Sequence, residues 1–264
     1  GLVSRVQAYG QPPADMSSYK YVDIPEGEAA RASDAHEIRN RADWTEITPN
    51  RLAASAARQQ GRNIVSAETW TWLHSPPFAA TPLDVKSEAD EYFLQGINRL
   101  VGHGWPYSPP QASSPGWMFY AAASFNDHNP WFPVMSDITR YLQTVSSAMS
   151  MGKRTGCVAV YIPAHDAWAD FKIQNRMADL VFSGALRRRI GDRLPNALLR
   201  FGYNFDLIDD EGITGLAEGT GPGYDAVILP GIERLPLETA RTLRKLSAHV
   251  PVVAIPLART KLYA

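Results

Sequence analysis

Asn63–Pro110 reads NIVSAETWTWLHSPPFAATPLDVKSEADEYFLQGINRLVGHGWPYSPP. A short apolar run ends at Ala67, and Glu68 and the aromatics Trp70 and Trp72 follow at once. Thr81-Pro82-Leu83-Asp84 is a helix start: a capping hydroxyl, proline in the first turn and an acid near the positive end of the helix. That helix is expected to run to about Gln95, with Gly96 as its stop. A second apolar run, Ile97 to Gly102, then ends in His103-Gly104-Trp105-Pro106-Tyr107. A strand, loop, helix, strand order with polar and aromatic residues just after each strand predicts parallel strands that deliver chemistry to one edge.

The flanks extend the pattern. Leu2 to Tyr9 alternates apolar residues with Arg5 and Gln7, which suits a strand whose polar members point into a site. Gln11 to Asp43 is rich in turn formers and charge, and it reads as a long functional loop that carries Asp23-Ile24-Pro25-Glu26-Gly27-Glu28. A helix is expected over Thr48 to Gln60, capped by Thr48, with Pro49 at its first position, Leu52, Ala53 and Ala56 on one face and Gly61 closing it. His103 to Pro130 reads as a second functional loop. Ile138, Tyr141, Leu142, Val145 and Met149 then fall at helical spacing, with Ser136 as the cap and Gly152 as the stop.

After Lys153 and Arg154 a second α/β pattern begins: a strand at Cys157 to Ile162, a helical region from about Trp168 to Ile190, and a strand at Phe205 to Ile208. A strand at Tyr224 to Leu229, a helix at Pro236 to Ala248 and a strand at Val250 to Ile255 complete it. The fold class expected is α/β: residues 1–153 as the C-terminal part of a (β/α)8 TIM-type barrel, residues 154–264 as a flavodoxin-like domain. Only three strand–helix units are legible before residue 153, so the remaining strands are expected upstream of Gly1. Gly219 to Gly223 and Pro230-Gly231 lack the lysine and spacing of a phosphate loop and read as turns.

The chain has 264 residues, and its 26 basic and 27 acidic side chains leave a net charge of -1. That balance makes no field for nucleic acid or an anionic membrane, and a neutral ligand is expected. Seven tryptophans and eleven tyrosines favour a carbohydrate partner, because their rings stack on sugar C–H faces. Cys157 stands alone, which excludes an intrachain disulfide and a cysteine-based zinc site. No apolar run approaches the ~20 residues of a membrane span. The chain opens in a strand-like run without an initiator methionine, so an internal piece of a longer protein is expected.

Glu68 ends an apolar strand beside Trp70 and Trp72, a setting in which a carboxylate can exchange protons near neutrality; the alternative is a carboxylate paired with an arginine at the rim. Glu26 and Glu28, expected on the loop after the first strand, would approach Glu68 from the side, and two carboxylates across a sugar are the machinery of glycoside hydrolysis. They could equally be ligands for calcium or a solvated turn. His103, Trp105 and Tyr107 suit sugar binding, and Asn126 to Asn129 with Trp131 either line a pocket floor or bond their own backbone. No zinc-protease spacing and no serine-nucleophile elbow occurs.

SRVQAYGQP, YVDIPEGE, GRNIVSAETWTWL, TPLDVKSEADEYFLQGINRLVGHGWPYSPP, PGWMFYAAASFNDHNPWF and CVAVYIP together resemble, in order, the core of the α-L-rhamnosidases of glycoside hydrolase family 106. The resemblance covers most of residues 1–162. It implies a (β/α)-barrel enzyme that removes terminal α-L-rhamnose with inversion and uses calcium near the sugar hydroxyls. It implies Glu68 as general base, Glu26 and Glu28 as active-site or calcium-associated residues, and a general acid upstream of this chain. Tyr9, where the family more often has histidine, and a long run from Ala29 to Asp43 depart from the pattern. The other readings are a different barrel glycosidase, such as a β-galactosidase, and a non-catalytic carbohydrate-binding relative.

Overall fold

The computed structural model describes residues 1–8, 16–28, 44–72, 78–119, 121–152, 157–172 and 178–257. Tyr9 and the run from Ala29 to Asp43 lie outside the described residues. Four strands, β1 (Arg5–Gln7), β2 (Ile24–Glu28), β3 (Ser66–Thr69) and β4 (Arg99–Gly102), form a sheet in that order, all parallel.

Glu26 and Glu28 therefore lie on a strand of their own rather than on the loop after β1. The strand hides in sequence because its alternation is inverted. Ile24, Glu26 and Glu28 share one face, while Pro25 and Gly27, both small, share the face that meets a helix. A Cβ on Gly27 would come within 2.4 Å of Asn50 Oδ1, so only glycine lets this helix approach.

That helix, α1 (Trp44–Gln59), starts before Thr48, so Thr48 does not cap it and Pro49 sits inside it at the loss of one backbone hydrogen bond. Strand β3 also starts later than expected, which puts Glu68 within the strand. Helix α2 (Pro82–Gln95) has the expected ends. Thr81 N donates to Asp84 Oδ2 at 2.8 Å, Asp84 N donates to Thr81 Oγ1 at 3.3 Å, and Gly96 closes the helix at φ 104°. Helix α3 (Met135–Met151) leaves a 3₁₀ turn at Phe132–Val134 without a break, so Ser136 lies inside the helix and caps nothing.

The second sheet, β5 (Val158–Tyr161), β6 (Phe205–Ile208), β7 (Ala226–Pro230) and β8 (Val252–Ile255), is also all parallel, in the order β6-β5-β7-β8. Around it lie α4 (Ala164–Asp170), α5 (Ala178–Ile190), α6 (Arg193–Arg200), α7 (Asp210–Glu218) and α8 (Leu237–Leu246). The single helical region expected between β5 and β6 is three helices. Helix α7 was not expected, since Gly212 and Gly215 weaken its pattern, yet its ends are marked. Asp209 Oδ1 accepts from Gly212 N at 2.9 Å, and Gly219 closes the helix at φ 71°. The glycine run from Gly219 therefore begins as a helix stop.

The expected boundary at 153 falls among residues outside the description, but packing is continuous across it. One apolar cluster joins Leu52, Ala53 and Ala56 of α1 and Ala67 of β3 to Val160, Phe205 and Leu207 of the second sheet. Strand β6 is an edge strand, and α1 occupies its open side. Leu207 N donates to Ser55 Oγ at 2.9 Å, Gln59 Nε2 donates to Leu207 O at 2.9 Å, and Arg51 Nη1 donates to Phe205 O at 2.8 Å. Arg58 adds an ion pair to buried Asp206 at 2.7 Å.

Candidate active site

The functional edge follows from register. Strand side chains alternate, so Gln7, Glu26, Ser66 and Glu68 share the face of the first sheet opposite α1, and Glu28 lies beside Glu68 in the β2–β3 pairing. Gln7 ends β1, Glu28 ends β2, Glu68 is next to last in β3, and His103 follows β4. These are the C-terminal ends of parallel strands, where α/β folds carry their chemistry.

Gln7 Nε2 joins the two carboxylates, donating to Glu68 Oε2 at 2.7 Å and to Glu26 Oε1 at 3.3 Å. Glu26 is further engaged by Ser66 Oγ at 2.6 Å and by Arg5 Nε at 3.1 Å, so it is a buried anion with a guanidinium counter-ion. The arginine-paired carboxylate weighed for Glu68 is thus Glu26. The other oxygen of Glu68 lies 3.0 Å from His103 Nδ1 and 3.3 Å from Thr71 Oγ1, and Thr71 Oγ1 lies 3.1 Å from His103 Nδ1. An ionised carboxylate only accepts, so Nδ1 carries the proton and donates it to Glu68. Glu68 remains partly open, its side chain 28% exposed.

The chain turns sharply after β3, with Trp70 in the left-handed region at φ 66°. A buried acid from α2 holds that turn: Glu88 Oε1 accepts from Trp70 N at 2.9 Å, and Glu88 Oε2 from Trp72 Nε1 at 2.5 Å. Trp70 Nε1 donates to Val85 O at 3.1 Å. Both indoles sit in a core with Val85, Ala89, Phe93 and Phe125, so they wall Glu88 and not Glu68. Trp70 is placed as a core residue rather than a sugar contact.

Beyond His103, Trp105 and Tyr107 are 63% and 70% exposed at the same edge. Asn129 is buried and closes a turn on its own backbone, donating to Ser124 O at 2.7 Å and accepting from Trp131 N at 3.2 Å. Trp131 Nε1 donates to Ala80 O at 2.6 Å, which ties this loop to the start of α2. These two residues brace the site and do not line it. Thr71, Ser66 and Glu88 are absent from the sequence reading. Ser66 is two before Glu68, hence on its face, and Glu88 falls on the apolar stripe of Val85, Ala89 and Tyr92, so both carried a signal.

Among the described residues no group of three or more His, Cys, Asp or Glu side chains could hold a metal ion. Glu26 already accepts from Arg5, Gln7 and Ser66, a donor set that suits an anion better than a calcium ligand. In the second sheet, the segments that follow β5 and β7 are joined by charged groups. Asp166, fully buried, accepts from Glu233 N at 2.9 Å and from Arg234 Nη1 at 3.0 Å, and Arg189 Nη1 stands 3.7 Å away. Among the described residues no helix is long and apolar enough to cross a membrane.

Residues 6–182 match the family model of glycoside hydrolase family 106, alpha-L-rhamnosidase. A protein of Formosa agariphila named provisionally as a beta-glucuronidase is 23% identical over 203 residues, which is 74% of this chain and 15% of that protein. The solved rhamnosidase of Novosphingobium sp. PP1Y superposes with a TM-score of 0.60 at 22% identity, over 92% of this chain and 22% of that one. A catalytic mutant of a GH42 beta-galactosidase of G. stearothermophilus superposes with a TM-score of 0.57 at 13% identity, over 90% of this chain and 33% of that one. At such identities these two structures speak to the fold alone. The chain spans well under half the length of each of these relatives. The family match covers most of the chain, and the chain belongs to the alpha-L-rhamnosidase family of glycoside hydrolases.

Proposed function

We propose that this member of the alpha-L-rhamnosidase family carries the general base of an inverting glycoside hydrolase that releases terminal α-L-rhamnose, and that Glu68 is that base. The observation that supports this most directly is the setting of Glu68: a half-open carboxylate at a strand's C-terminal end, gripped by Gln7, Thr71 and His103. A base must point one lone pair at water, and donors from β1 and from the segment after β4 leave little freedom to turn away. Glu26 acts as a fixed anion that orients Arg5 and Gln7, and Glu28, beside Glu68 in register, faces the sugar. The proton for the leaving oxygen comes from a general acid outside this chain. No step is routed through calcium.

The first sheet is read as part of a (β/α)8 barrel, with its remaining strands elsewhere in the protein, and the second as flavodoxin-like, because its order runs 2-1-3-4 by chain position. The test uses the intact protein that contains this chain. Aryl α-L-rhamnoside should be hydrolysed, with β-L-rhamnose as the first product by NMR. Glu68→Gln should lower kcat by about 10² to 10⁴-fold, the range of general acid–base catalysis, with an unchanged melting temperature. Equal rates for wild type and variant would remove Glu68 from the role. Rhamnose binding without turnover by the wild type would leave a carbohydrate-binding protein.

A further inference from the structure

The loop after His103 holds five large apolar side chains out to solvent: Trp105, Tyr107, Trp117, Met118 and Phe119 are 63%, 70%, 59%, 56% and 44% exposed. Single exposed apolar residues are ordinary, but five on one loop that follows the strand end beside Glu68 point to a binding surface. The loop is braced in this form. Trp117 N donates to Ser108 Oγ at 2.8 Å, Asn126 Nδ2 donates to Pro106 O at 2.9 Å, and His128 Nδ1 donates to Pro115 O at 2.9 Å. Gly116, at φ 100°, fits where a Cβ would lie 2.5 Å from Ser108 Oγ and 2.7 Å from His128 Nδ1. The Trp117 N–Ser108 bond brings the Tyr107 and Trp117 segments of the loop side by side, whereas free side chains would fold together out of water.

We propose that Trp105, Tyr107 and Trp117 form a platform for a neutral sugar ring next to the one cleaved at Glu68. The proposal rests on the glycosidase reading of Glu68 and adds the class of the neighbouring sugar. Continuity with the catalytic edge supports it: the Phe119 ring lies 5.2 Å from the His103 imidazole, which bonds Glu68. Trp105 meets Phe132 in a T-shaped contact, at 5.5 Å and 84°, and stays 63% exposed, so much of its indole is available to a C–H surface. The charge pattern selects the ligand. From Gly104 to Phe119 there is no Asp, Glu, Lys or Arg, so nothing on the platform would pair with a uronate carboxylate or a sulfate. A neutral hexose or deoxyhexose, whose faces are apolar, matches it.

The experiment takes the intact protein and the variants Trp117→Ala, Trp105→Ala and Trp117→Phe. It compares α-L-rhamnosyl fluoride, whose leaving group has no ring, with α-L-rhamnosyl disaccharides ending in glucose or in glucuronate. The glucose disaccharide should be the better of the two. Each alanine variant should lose about tenfold more kcat/KM on it than on the fluoride, and Trp117→Phe should recover most of that loss. Equal losses on disaccharide and fluoride, or preference for the glucuronate, would overturn the platform. If the wild type cleaves neither, the glycosidase reading fails and calorimetry decides this one separately. Wild type must then bind the glucose disaccharide and Trp117→Ala bind it about tenfold more weakly; equal binding, or none by the wild type, overturns it.

Discussion

Thr71 completes a triangle with Glu68 and His103. Thr71→Val keeps the shape and removes the oxygen. On the proposed mechanism kcat should fall about tenfold, as for loss of a group that orients a base, while KM stays near its original value. Thr71→Ser should restore the rate, and a fall in KM-dependent binding alone would show that Thr71 touches sugar instead. Glu88 acts one step further out. Glu88→Ala would strand two buried donors, Trp70 N and Trp72 Nε1, at about 1–3 kcal/mol for each unsatisfied group, and free a turn at positive φ. Thermal melting should show the loss, and activity should fall with it because Glu68 and Thr71 flank that turn. At this scale the positions of Glu68 and His103 near strand ends were legible from the apolar runs before them, whereas Glu26 was expected on a loop and lies within β2. Trp70 and Asn129 misled, because an aromatic or an amide near a site looks the same in sequence whether it faces the ligand or the core.

Elements disclose themselves unevenly. Helix α2 shows every end signal and lies where those signals put it, whereas β2 was hidden by carboxylates on one face and Pro25 and Gly27 on the other. Helix α7 was hidden by its glycines, and its cap carries a testable pH dependence. Burial pushes the Asp209 carboxyl above the usual carboxylate range, against the Gly212 N–H that it accepts, and nearby Glu211 and Asp210 add to the rise. A raised acid binds more protons in the fold than in the unfolded chain, so its ionisation costs stability above the folded pKa, and that cost vanishes as pH falls below the unfolded value. Asp209→Asn keeps the cap acceptor without the charge. It should melt at or above wild type near pH 7, with the difference shrinking below about pH 4. Asp209→Ala loses the cap as well as the charge, and should be about 1 kcal/mol less stable than Asp209→Asn at any pH. A pH-independent difference for the Asn variant would show that charge at this cap is irrelevant.

The two halves were legible as successive α/β patterns, but their joint packing was not, because periodicity shows which face of α1 is apolar and not how many partners share the helix. Its alanine-rich surface lies between the sheets, and its polar residues Arg51, Ser55 and Gln59 satisfy the open edge of β6. Arg51 is 1% exposed, with its guanidinium 4.5 Å from the Phe205 ring centroid and bonded to the Asn204 side chain. Arg51→Ala removes that cover from β6 and leaves a cavity over the Phe205 ring, a loss of about 2–4 kcal/mol. Hydrogen exchange should then rise together at the amides of β3 and of β6, in one unfolding transition. Exchange that rises in β6 alone would mean that the sheets open separately. A chain begun at Cys157 should bare the β6 edge, whose unpaired Phe205 and Leu207 groups offer a template for another strand, and light scattering should show it associating. The two sheets thus share α1 as a common wall.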